Sequence, residues 1–293
     1  MTLRQWGMIL LTAALFGSSF FFIKLAVADL PPMTIAAGRA LIAAMLVAAV
    51  ARAFGAALPR PGRDWRPLVV VGILTAALPY ALIAAGQTRI DSSLGGILFA
   101  TIPLFSLFLS RAFLPDAPLS AGRIAGALTG LAGVALAIGP GALAGLPGQI
   151  TGVAMTLAAA ASYAAGAVYT RSLGRASPLV LAAGQLLVAA PLLAAAALLT
   201  ERPWTLTPAP PALGAILAVG LVSTALPTLL FFRLVREVGP ARASILTLFM
   251  PVFALLLGTL VLGERPGPAM FAGLVLILAG AILINRPRRA GAR

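Results

Sequence analysis

Few side chains in this sequence are equipped for covalent chemistry. Its 293 residues include no cysteine and no histidine. Thiolate nucleophiles, disulfides, imidazole metal ligands and Ser-His dyads are therefore excluded. Lys24 is the only lysine, and no G-x-x-x-x-G-K-[ST] phosphate loop surrounds it. The carboxylates, Asp29, Asp64, Asp91, Asp116, Glu201, Glu237 and Glu264, all fall at or between the ends of apolar runs. No pair of them is placed for an intramembrane aspartyl protease or a carboxylate proton relay. No metal or cofactor motif is present, and an enzyme is not expected. The exception to this quiet inventory is Arg39, in the stretch AAGRALIAA (36–44), the one ionisable side chain between Met33 and Val50.

The segments around Arg39 are those of a polytopic all-α membrane protein. The chain is 61% hydrophobic and only 10% charged, against about a quarter charged in a soluble domain. A span needs about 20 apolar residues to cross some 30 Å of hydrocarbon. Ten such runs occur, at 5–27, 32–54, 66–87, 91–112, 120–139, 149–171, 177–199, 210–231, 239–261 and 267–285. An even number places both termini on one side. That side carries sixteen basic residues: Arg4, Arg52, Arg60, Arg63, Arg66, Arg111, Arg123, Arg171, Arg175, Arg233, Arg236, Arg242, Arg286, Arg288, Arg289 and Arg293. The other carries four, Lys24, Arg89, Arg202 and Arg265. The positive-inside rule makes the terminal side cytoplasmic. The net charge of +14 is thus loop anchoring rather than a nucleic-acid surface. Ala26-Val27-Ala28 resembles a signal-peptidase site, but Lys24 just before it and the single Arg4 ahead of the run fit poorly. The first run is expected to remain as a span. Usage rich in alanine, arginine and glycine suits a GC-rich bacterial genome, and the expected location is the bacterial inner membrane.

The sequence is also written twice. PMTIAAGRALIAA (32–44) matches PLVLAAGQLLVAA (178–190) at an offset of 146, so Arg39 falls on Gln185. GILTAALP (72–79) matches GLVSTALP (220–227) at 148, an offset that also pairs Pro103 with Pro251. At 147, Lys24 falls on Arg171, Gly126 on Gly273 and Gly133 on Gly280. The halves run 1–145 and 146–293, each five spans long. Five is odd, so the second copy is inverted in the membrane, the arrangement of secondary transporters that alternate access to a midplane site.

Proline inside a helix removes one hydrogen bond and frees the carbonyl four residues earlier. Pro79, Pro227, Pro103 and Pro251 do so at Thr75, Ser223, Phe99 and Thr247, and three of those four carry a hydroxyl. These prolines are the candidate hinges. The candidate binding residues are the sparse polar and aromatic side chains near mid-span: Ser18, Ser19, Arg39, Tyr80, Thr101, Tyr163, Gln185, Thr228 and Thr247. Tyr169 lies nearer a membrane end. At about 12 Å depth, an arginine facing lipid costs at least a few kcal/mol, so Arg39 should face the bundle. With no acid at its depth, freed carbonyls or the carboxylate of a bound amino acid are its natural partners. Gly122, Gly126 and Gly130 form a small-residue ridge for close helix contact. Asp116 and Glu264 each precede a span and read as caps. Without a mid-membrane acid or histidine, facilitated diffusion or exchange is the default mode.

LFGSSFFFIKL (15–25), AAGRALIAA, TIPLFSLFL (101–109) and MPVFALLLGTLVLGERPGPAMFAGLVLILAGAIL (250–283) together resemble the EamA-type drug/metabolite transporter superfamily. The likeness covers essentially the whole chain and implies ten helices in two inverted five-helix repeats. It implies a secondary carrier of small metabolites, with bacterial exporters of amino acids, including aromatic ones, most similar. Phe16 stands where the family often has tryptophan. The expected function is export of small metabolites, amino acids above all, by a monomer or homodimer in the bilayer; the alternative is a channel or lipid scramblase.

Overall fold

Why the chain folds as it does follows from the apolar runs. In lipid every backbone group must be satisfied within the segment, which leaves helices as the economical solution. A computed structural model describes residues 1–55, 62, 65–113, 120–143, 147–173 and 177–285, and the described residues are all helix, turn or irregular backbone without a strand. The helices are α1 (Leu3–Ala26), α2 (Pro32–Ala53), α3 (Arg66–Gln87), α4 (Ser92–Phe113), α5 (Ala121–Gly139), α6 (Gly148–Ser172), α7 (Pro178–Thr200), α8 (Pro210–Val238), α9 (Leu246–Leu260) and α10 (Pro268–Ile284). The first eight are long and apolar enough to cross a membrane; α9 and α10 are shorter apolar helices. The expected span at 239–261 is interrupted. Gly239, at φ +80°, ends α8, a short helix Pro240–Ala243 follows, and a turn at Ser244 and Ile245 precedes α9. Arg60, Arg63, Asp64, Asp116, Arg175, Arg286, Arg288, Arg289 and Arg293 lie outside the described residues.

Packing follows the repeat. The alanine-rich faces of α2 and α7, which are repeat mates, meet along their length and carry much of the core: Ala36, Ala40, Ala43, Val47, Ala182, Ala183, Leu186 and Ala189. Small side chains let the two backbones approach, which substitutes for the hydrophobic drive that lipid does not supply. Another mate pair, α5 and α10, is equally close. A methyl on Gly126 would lie 2.8 Å from the Gly280 carbonyl, and one on Gly133 would lie 2.7 Å from the Gly273 carbonyl. The glycine ridge of α5 is thus used inside the bundle: a methyl on Gly280 would meet the backbone of both Gly126 and Gly130, Gly130 also packs under Leu104, and Gly122 meets nothing. The other contacts also come in mated pairs: α1 on α9 with α6 on α4, and α3 on α7 with α8 on α2.

Two ends can be told apart. The near face holds the start of α1 and the end of α8, joined by an exposed Arg4–Glu237 pair at 3.3 Å. The far face is held by carboxylates that cap helix starts in the other half, where aligned amide groups favour negative charge. Glu201 accepts from the Met33 and Thr34 amides (2.9 and 2.7 Å) and the Thr34 hydroxyl at the start of α2. Glu264 accepts from the Ser92 and Ser93 amides (2.7 and 2.9 Å) and from both hydroxyls at the start of α4. Asp29 accepts from the Ala209 amide just before α8. Burial raises the Glu264 pKa, but the hydrogen bonds from Ser93 and Ser92 outweigh it and hold the carboxyl below its ordinary 4.5. Glu264 is therefore a cap, but for a helix of the opposite repeat.

Candidate functional site

Three of the four prolines disturb their helices, in two ways. In α3 and α8 the chain makes one π-helical turn immediately ahead of the proline, at Ile73–Ala77 and Leu221–Ala225. These two turns are repeat mates. In them Leu78 donates to the Ile73 carbonyl and Leu226 to the Leu221 carbonyl, five residues back. The register shift corrects the expectation that Thr75 loses its partner. In π register the carbonyl left orphaned by Pro79 is that of Leu74, and the Ser162 hydroxyl of α6 donates to it at 2.7 Å. In α4 the helix breaks at Ala100 and Thr101, ahead of Pro103, and Thr101 caps the broken end by donating to the Leu98 carbonyl at 2.6 Å. In α9 the helix continues through Pro251.

Each π turn receives a polar side chain from the second helix of the other repeat. Arg39 of α2 donates through Nε to the Thr224 hydroxyl at 2.8 Å, and Thr224 donates in turn to the Val219 carbonyl at 2.7 Å. Its repeat mate Gln185 of α7 is bonded to the Thr75 hydroxyl at 2.6 Å, and Thr75 also reaches the Val71 carbonyl at 2.6 Å. Ser18 of α1 joins the α8 turn through the Ser223 hydroxyl at 2.7 Å. Arg39 is 5% exposed, its guanidinium carbon 3.9 Å from the centroid of the Tyr80 ring. Stacking on the aromatic face offsets part of the desolvation cost of the cation. One terminal nitrogen of the guanidinium, Nη1, is buried with no hydrogen-bond partner. No acidic side chain pairs with Arg39 among the described residues.

From Tyr80 an aromatic chain crosses the bundle. Tyr163 of α6 packs against the buried cluster that contains Tyr80. Tyr163 stands edge-on to Phe99 of α4 at 5.1 Å, and Phe99 edge-on to Phe20 of α1 at 5.6 Å. On its other side Phe99 lines a narrow cleft between α4 and α9 with Ala100, Ile102, Pro103, Thr247, Leu248, Met250 and Pro251. At the repeat offset of 148 these residues are mates: Phe99 with Thr247, Ala100 with Leu248, Ile102 with Met250 and Pro103 with Pro251. The cleft sits between two equivalent helices where their prolines fall. The far-face half of α4 packs on α9, while the half beyond the break packs on α6 instead.

Of the residues chosen from sequence, Thr247, Pro103 and Pro251 line the cleft. Arg39, Tyr80 and Tyr163 form a cluster joined to it through Phe99. Gln185 makes the mated joint, and Ser18 the hydroxyl pair at the α8 turn. Ser19 and Thr228 are buried away from the cleft lining. Pro79 and Pro227 shape π turns rather than a cavity wall. Phe99, Phe20, Thr224, Ser162 and Gln87 escaped the sequence reading. In the sequence Phe99 stands out only as the carbonyl four residues before Pro103, although its repeat mate Thr247 is a polar candidate.

The EamA-like transporter family matches the sequence twice, over residues 5–139 and 150–286. The chain belongs to this family. It is 28% identical over 289 residues to the uncharacterized inner membrane transporter YedA of Escherichia coli (strain K12), covering 97% of this chain and 91% of that one. It is 26% identical over 289 residues to a probable terminal-alkyne amino-acid exporter of Streptantibioticus cattleyicolor, covering 96% and 93%. A crystal structure 24% identical in sequence superposes with a TM-score of 0.69 over 94% of this chain and 96% of that one, which shows the shared two-repeat fold. This EamA member is a multi-pass membrane transporter, as its relatives are named. Such a role asks its site to bind and release, with no bond made or broken.

Proposed function

We propose that this transporter exports small metabolites, amino acids above all, from the bacterial cytoplasm by alternating access, with the near face cytoplasmic. Sixteen basic residues fall on the terminal side of the sequence against four on the other, which supports that orientation. The observation that carries the substrate class is Arg39, a buried cation with an unpartnered Nη1 and no acid beside it. A substrate carboxylate supplies the missing acceptor and the missing charge at once. The Tyr80, Tyr163 and Phe99 rings offer an apolar wall to its side chain, and the amino-acid exporter among the relatives supports the same class.

The cleft between α4 and α9 is too narrow for an amino acid in this conformation. Substrate therefore enters as the near-face half of α4, already separated from α9 beyond Pro103, swings further out. Closing that side and releasing the far-face carboxylate caps completes the exchange. No acid lies near mid-span in the sequence, so exchange or facilitated diffusion needs no side-chain proton carrier. Labelled amino acid should enter proteoliposomes faster when they are preloaded with unlabelled amino acid, across a panel that includes nucleosides and sugars as comparison. A rate indifferent to preloading contradicts a carrier and points to a channel.

A further inference from the structure

Besides Arg39, one buried side chain among the described residues has polar atoms without a hydrogen-bond partner. It is Gln87, with both its amide nitrogen and its amide oxygen unpaired and no exposed surface. Gln87 ends α3, two helical turns beyond Tyr80 on the same buried stripe as Ile83 and Ala84. At 1.5 Å per residue it stands about 10 Å nearer the far face than Tyr80.

The surroundings give this amide no partner but keep room for it. The nitrogen rests on the backbone of Gly95 in α4, so close that a methyl group there would collide with it, and the Phe20 ring borders the same spot at 3.1 Å from that methyl position. Phe20 is the ring that stacks on Phe99, which lines the cleft. One aromatic layer therefore separates Gln87 from the cleft. On its outer side lie the far-face closures: Glu264 holds Ser92 and Ser93, just ahead of Gly95, and Lys24 donates to the Gln87 and Ile90 carbonyls at 3.2 and 2.7 Å.

A buried amide with both ends unpaired disfavours the state that buries it, and an apolar side chain of the same shape would not. The amide presents donors and an acceptor side by side, whereas the free nitrogen of Arg39 presents donors only. A carboxylate satisfies the donors alone and an ammonium the acceptor alone. The zwitterionic head of an amino acid satisfies both.

We propose that Gln87 is a second substrate station, which takes the ammonium and carboxylate of an amino acid once the start of α4 lifts away from α3 at the far face. It rests on the amino-acid carrier reading above. Substrate is held at depth by Arg39 and passes the Phe20–Phe99 layer to Gln87 before release.

The test is trans-stimulated uptake by the full chain in membrane vesicles of both orientations, which measures the apparent KM separately at each face. Thr205→Cys, on an exposed far-face loop of a chain without native cysteine, reports orientation through an impermeant maleimide. Gln87→Met keeps the shape and removes both polar ends. It should raise the far-face KM at least tenfold, leave the near-face KM within twofold and not lower the melting temperature. Gln87→Glu, which keeps the acceptors and loses the donors, should raise the far-face KM as well and gives a second measure if the methionine variant fails to insert. A far-face KM within twofold of wild type, or an equal rise at both faces, overturns the station. Wild-type vesicles that show no trans-stimulation with any amino acid overturn the carrier reading and the station together.

Discussion

The joints Arg39–Thr224 and Gln185–Thr75 are one device built twice. Each sends a polar side chain from the second helix of one repeat to the π turn in the third helix of the other, at 2.8 and 2.6 Å. The scaffold is symmetric but the chemistry is not. The neutral joint satisfies the Gln185 oxygen through Thr75, and the position equivalent to Tyr80 is Thr228. The charged joint leaves a guanidinium nitrogen open, lays the cation on Tyr80 and connects through Tyr163 and Phe99 to the cleft. Duplication supplies two matching joints, and divergence at a few side chains leaves one of them with a buried, unpartnered guanidinium nitrogen.

That contrast can be broken in steps. Arg39→Leu should abolish amino-acid counterflow, a fall of about a hundredfold or more, since a charged hydrogen bond of about 1.5–3 kcal/mol and the ring contact go together. Gln185→Leu should cost no more than about threefold in the same assay. Equal losses would mean that both joints are merely structural. Pro103→Ala combined with Pro251→Ala restores the missing backbone donors in the two helices beside the cleft and should lower exchange about tenfold, while the yield of inserted protein stays at wild-type level. An unchanged rate removes the hinge role.

Smaller effects are expected where a joint is only supported. Glu264→Gln weakens the far-face cap of α4 by about 1 kcal/mol, because the carboxylate is half-exposed and partly screened. The folded carboxyl titrates below its ordinary 4.5, so its contribution is present above that value and lost as pH falls through the lowered one. The variant should therefore melt lower than wild type at pH 7, with the difference shrinking as pH falls below 4.5. Ser162→Ala strips the donor from the Leu74 carbonyl at the α3 turn and should cost about 1 kcal/mol of unfolding free energy, read as a lowered denaturation midpoint, with transport nearly intact.

Much of this design was legible in the sequence, because spans, repeats and prolines are set by local composition. Apolar runs of membrane length gave the helices, and shared prolines and glycines gave the two halves. The lone arginine in AAGRALIAA pointed inward because lipid cannot hold it cheaply. What escaped was register and partnership. Nothing local distinguishes an α-helical kink from a π turn at Pro79, yet the turn moves the orphaned carbonyl by one residue and calls in Ser162 from another helix. Glu264 reads as the cap of a nearby helix, but it and Glu201 serve helix starts in the opposite repeat, a pairing only the folded bundle creates. Gln87 looks like an ordinary helix-end residue until its burial under Phe20 and Gly95 is seen.

The sharpest comparison sets each amino acid against its carboxamide, which has the same shape but no carboxylate charge, in counterflow by wild type and by Arg39→Gln, which copies the neutral joint onto the charged one. If Arg39 holds the substrate carboxylate, wild type prefers the free acid about tenfold or more and the variant loses that preference while still transporting the amide. Equal discrimination by both proteins would contradict the role of Arg39 and leave the two joints functionally alike.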